Sequence, residues 1–112
     1  MVDSQGVTPD DLAAIAKAFP PSGMIPQFDV PRYWSNPNLK DPDTIIALVL
    51  ERPTTEDLAR TIIAFGAQRV LDVFGRLLTE EEISQARAQH TEELLEPILK
   101  GVANAARQLH TT

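Results

Sequence analysis

The sequence predicts an all-α fold, a small bundle of about five helices, on three observations. Threonine or aspartate stands ahead of apolar stripes at helical spacing, prolines occupy first helical positions, and no stretch alternates strongly enough to build a sheet. At 112 residues the chain is long enough for one core and too short for two of ordinary size. A single helical domain over 1–112 is expected, with 1–7 and 106–112 frayed.

The first helix is expected over about 9 to 19. Thr8 can cap the backbone N–H of Asp11, Asp11 can close a capping box, and Pro9 at the first helical position loses nothing by lacking an N–H. Val7 and Leu12 are placed as a hydrophobic staple, and Leu12, Ile15, Ala16 and Phe19 share a face. Pro20 and Pro21 stop the helix.

Residues 20–40 hold five of the nine prolines and half of the aromatics (Phe28, Tyr33 and Trp34), so a long Pro-rich aromatic loop is expected. A tether rarely concentrates aromatic residues in this way. They pack on the chain's own helices as a strap, or they dock into a partner or a second copy.

Asp41 followed by Pro42 repeats the cap-then-proline signal, and Ile45, Leu48 and Val49 give a short stripe ending before Pro53. Thr54 to Asp57 offers another cap, Leu58, Ile62 and Phe65 share a face, and Gly66 can supply a left-handed C-terminal cap. Val70, Val73, Phe74 and Leu77 form a fourth stripe, widened by Leu71 and Leu78. Thr79 followed by Glu80, Glu81 and Glu82 reads as the cap of a long C-terminal helix. Ile83, Ala86, His90, Leu94, Ile98, Val102, Ala105 and Leu109 trace its apolar seam, which Pro97 is expected to kink or divide.

Composition narrows the function. Sixteen acids against ten scattered bases give a net charge of −6, which disfavours nucleic acid as a partner. A helix-turn-helix over 54–77 is disfavoured too, because its first helix is too long and Asp72 would oppose phosphate. No apolar run of roughly 18 residues and no signal-peptide pattern occur, and the absence of cysteine fits a reducing compartment. A cytoplasmic protein without a membrane segment is expected.

Chemistry is hard to place on these residues. His90 lies on the apolar seam and His110 at the tail, so neither completes a metal site, and Glu80 to Glu82 are accounted for as a helix cap. No GxSxG, P-loop or Rossmann glycine pattern occurs. The expectation is a protein that is not an enzyme and carries no metal or cofactor.

The run Pro31 to Leu77 contains Val49-Leu50-Glu51-Arg52, then Thr55-Glu56-Asp57-Leu58, Phe65-Gly66 and Arg69, after the aromatic opening of Tyr33 and Trp34. In that order these elements resemble small helical antitoxin-like proteins encoded beside nucleotidyltransferase toxins of the abortive-infection type. The resemblance implies an antitoxin that neutralises a cognate nucleotidyltransferase-type toxin by occlusion or by altered modification. Phe28, Arg32, Tyr33, Trp34 and Arg69 are the expected partner-binding residues. The competing expectation is a stand-alone structural or regulatory homo-oligomer paired through Ile83 to Leu109, with a DNA-binding autoregulator a weaker third.

Overall fold

The computed structural model describes residues 7–24, 26 and 41–110. Within them the chain forms five helices and no strand: α1 (Pro9–Ala18), α2 (Pro42–Glu51), α3 (Thr55–Phe65), α4 (Ala67–Thr79) and α5 (Gln85–His110). The fold is all-α, as the spacing of caps and stripes predicts.

Three helices start where their caps place them. The Thr8 hydroxyl accepts from the Asp11 N–H at 3.1 Å while Asp11 Oδ2 accepts from the Thr8 N–H at 3.0 Å, a closed capping box. Asp41 Oδ2 accepts from the Thr44 N–H at 3.2 Å and opens α2, and the Thr54 hydroxyl accepts from the Asp57 N–H at 3.2 Å and opens α3. Each satisfies a backbone donor that the helix itself leaves open.

Gly66 alone joins α3 to α4, with φ +96. A Cβ there would be strained by the backbone and would stand 3.1 Å from Pro21 Cγ. The segment after α1 crosses this corner, where the Gly23 N–H donates to the Ala64 carbonyl at 2.9 Å.

The core is mostly aliphatic, with Phe65 and Phe74 buried in it as well. Ile15 of α1, Leu58 and Ile62 of α3, and Val70 of α4 are fully buried. In α2 the stripe is broader than Ile45, Leu48 and Val49 alone: Ile46 and Leu50 are fully buried as well, and Leu48 is only half-buried. A helix packed on two neighbours, here α3 and α4, buries more than one stripe.

Several expectations about the C-terminal helix are corrected. Thr79 does not cap it, for Thr79 is the last residue of α4. The Glu82 N–H donates to the Leu77 carbonyl at 2.9 Å and the Glu81 N–H to the Leu78 carbonyl at 3.3 Å, with Glu81 at φ 57. That is a Schellman ending with glutamate in the position glycine usually takes. The cap of α5 is Ser84, whose hydroxyl accepts from the Arg87 N–H at 3.2 Å. The threonine-plus-acids pattern misleads because the three glutamates stand at the negative end of α4, where the macrodipole opposes them. Glu80 also hydrogen-bonds to Glu82 and repels it, which holds the Glu82 carboxyl above its usual range.

The buried seam is also displaced. Ala88, Thr91, Leu95, Leu99, Ala103 and Ala106 face the core, whereas Ala86, His90, Ala105 and Leu109 are exposed. Pro97 lies on an exposed face and does not divide the helix, which is one element of 26 residues. The helix continues past 106 to His110, with Ala106 fully buried and Arg107 ion-paired.

α5 completes α2 as well as packing on it. The Thr91 hydroxyl donates to the Leu50 carbonyl at 2.7 Å, and Arg87 Nη1 donates to the Glu51 carbonyl at 2.9 Å. Both carbonyls belong to the last turn of α2, whose backbone acceptors have no helical donor.

Replacing Glu81 with glycine removes a side chain from a left-handed position and a charge from an acidic helix end. Glu81→Gly is expected to stabilise the fold by about 1 kcal/mol, a rise in Tm of about 4 to 8 °C in thermal unfolding. An unchanged or lowered Tm would show that the turn carries no such strain.

Candidate protein-binding groove

α5 carries two apolar stripes side by side. The first, through Leu95 and Leu99, is buried, and the second runs through Leu94, Ile98, Val102 and Ala105. The second stripe forms one wall of a groove of about 520 Å³, closed opposite by Thr55, Ala59 and Ile63 of α3 and at one end by Phe19. Ile63 is 42% exposed, so the groove has an apolar rim as well as an apolar floor.

Its polar features are few. Among the described residues, Glu93 is the one charged residue of the lining. Pro97 has no N–H to donate to the Glu93 carbonyl four residues earlier, so this acceptor lacks its ordinary helical donor. One turn on, nothing lies within 4 Å of the place where a Cβ of Gly101 would be. Ala59, Gly101 and Ala105 keep the lining low between the larger residues.

The flank of α5 toward α1 is built differently. Asp11 is 3% exposed and holds two cations from the far end of the sequence, Lys100 Nζ at 2.9 Å and Arg107 Nη2 at 2.6 Å. The Thr8 N–H, then Lys100 and Arg107, hold its carboxyl far below the usual carboxylate range, against the opposing effect of burial. Sequence reasoning assigned Asp11 only the capping box. Nothing in its local sequence marks the second role, because the partners lie 89 and 96 residues away.

Of the expected partner-binding residues, Phe28, Arg32, Tyr33 and Trp34 lie outside the described residues. Arg69 is described and exposed, and its Nε donates to Asp43 Oδ1 at 2.8 Å. Arg76 stands 3.9 Å from the other oxygen of Asp43, so Arg69 belongs to a link between α4 and the first turn of α2. In the sequence Leu94, Ile98, Val102 and Ala105 read as a core seam, and nothing there marks Ala59 and Ile63 as the opposite wall of a groove.

A second cleft, of about 550 Å³, lies where α2 meets α3 and includes Arg52, Arg87 and His90. Arg87 is engaged there with the Glu51 carbonyl, and His90 is exposed instead of lying on a buried seam. Among the described residues no group of three or more His, Asp or Glu is placed to hold a metal ion. No helix among them is long and apolar enough to cross a membrane.

Asp11→Asn removes the charge that Lys100 and Arg107 share while keeping an acceptor for Thr8. Because both cations are partly exposed, the expected loss at neutral pH is about 2 kcal/mol, less than for a fully buried pair. The folded-state pKa is depressed, so this contribution is complete above the unfolded carboxylate pKa and lost as pH falls below it. Denaturant unfolding should show the gap between wild type and variant narrowing below about pH 4. A gap independent of pH from 7 to 2 would contradict the charge-based account.

Comparison with family models, with curated proteins and with solved structures found no match to this chain.

Proposed function

We propose that this chain acts by binding another protein, as an antitoxin-like module that neutralises a nucleotidyltransferase-type toxin, with no catalysis of its own. The observation that supports a binding role is the groove between α3 and α5, where apolar side chains of two helices line an open cleft. Contiguous apolar surface on a small protein is costly in water and marks interaction sites. The toxin class rests on the resemblance of Pro31 to Leu77, which spans α2, α3 and most of α4. An acidic chain of net charge −6 suits a basic protein partner and disfavours nucleic acid.

Co-expression tests this function. A neighbouring gene for a nucleotidyltransferase-like protein should arrest growth alone and cease to do so when this chain is co-expressed. A harmless neighbour, or arrest that persists with the chain present, would reject the antitoxin role.

The aromatic residues give a second test. Tyrosine and tryptophan commonly dominate protein interfaces, each costing about 2 kcal/mol or more when truncated. Tyr33→Ala with Trp34→Ala should weaken toxin binding at least about thirtyfold in calorimetric titration and leave helical circular dichroism unchanged. A parallel loss of helicity would assign these residues to the chain's own packing.

A further inference from the structure

We propose that the groove between α3 and α5 receives about three turns of a basic amphipathic helix from a protein partner. This rests on the protein-binding function above and specifies the chemistry of what is bound. Length comes first: from Glu93 to Ala105 the α5 wall spans twelve residue steps, about 18 Å, which is about three turns of a helix lying alongside it. Cross-section comes second. Ala59, Gly101 and Ala105 are small, and the open space at Gly101 lets a helix backbone come close while Ile63 and Ile98 pack against its side chains.

Charge selects among helices. Among the described residues the lining holds one carboxylate, Glu93, and no cation. Its Oε2 accepts a hydrogen bond from Gln89 Nε2 at 3.5 Å, a long contact that a lysine or arginine on the incoming helix would replace with a charge-assisted one. The cations nearest along α5, Lys100 and Arg107, are held by Asp11 on the side facing α1. A second copy of this chain is the poorer occupant, because two surfaces of net charge −6 repel on approach.

Gly101→Leu provides a variant that should fold. Nothing lies within 4 Å of the new Cβ, and leucine has the higher helix propensity, so Tm should hold or rise while the groove fills. The probe is a fluorescein-labelled 14-residue helical peptide of leucine and lysine with leucines on one face, titrated against the full chain by anisotropy. Its counterpart replaces every lysine with glutamate.

The lysine peptide should bind the wild-type chain, Gly101→Leu should weaken it about tenfold or more, and Glu93→Gln about threefold. The glutamate peptide should bind at least about tenfold more weakly than the lysine peptide. Equal binding of both peptides would overturn the proposal. So would full binding by a folded Gly101→Leu chain, which keeps every charge and would reveal attachment elsewhere. A wild-type dimer in sedimentation that Gly101→Leu converts to monomer would assign the groove to a second copy instead. Growth rescue by both wild type and Gly101→Leu would overturn this occupant and leave the antitoxin role standing, whereas failed rescue with groove-dependent peptide binding would do the reverse.

Discussion

Five helices among the described residues of so short a chain leave many helix ends, and each end exposes backbone groups that its own helix cannot satisfy. At the starts of α1, α2 and α3 the answer is local, from Thr8, Asp41 and Thr54. For the last turn of α2 it comes from α5, through Thr91 on the Leu50 carbonyl and Arg87 on the Glu51 carbonyl. The near-buried carboxylate of α1 is also answered by α5, through Lys100 and Arg107. These bonds fix which face of α5 turns inward, and the identity of the outer face follows from them. A buried carbonyl or carboxylate without a partner would cost more than any single apolar contact that a rotation of α5 could gain.

That constraint explains what the sequence disclosed and what it concealed. The starts of α1, α2 and α3 were legible, because capping by a side chain three residues from its backbone partner is a local geometry. Ser84, which caps α5 at the same spacing, was overshadowed by the signal at Thr79. The seam of α5 was not legible either. Its two stripes are one residue apart in phase, and the more hydrophobic, through Leu94, Ile98 and Val102, is the natural choice on hydropathy. The structure buries the other, through Thr91, Ala103 and Ala106, since Thr91 must reach Leu50 and α1 packs closely where α5 is small. Long-range polar bonds hold this phase, and their partners stand 36 to 96 residues apart in sequence.

The turn between α4 and α5 went astray for a related reason. A threonine followed by acids is the signature of a helix start, yet the same residues can end the preceding helix if one of them accepts a left-handed backbone. Glu81 does so, at φ 57, and Ile83 behind it is buried. Burial of Ile83 offers a packing gain that offsets the conformational cost at Glu81, which local propensity cannot register.

The groove is the residue of that choice of phase. Once α5 turns Thr91 and Leu95 inward, its more hydrophobic stripe lies half-buried at the edge of the bundle, and α3 supplies the opposite wall through Ala59 and Ile63. Asp11 contributes from the far side. By holding Lys100 and Arg107 it both docks α1 and fixes these two cations on the α1-facing flank of α5, so Glu93 is left as the charge within the lining. A stripe of this hydrophobicity on the surface would ordinarily be a liability in water. Here it is bounded by the Glu93 carboxylate, which gives the groove a polarity that a merely misplaced apolar patch would lack.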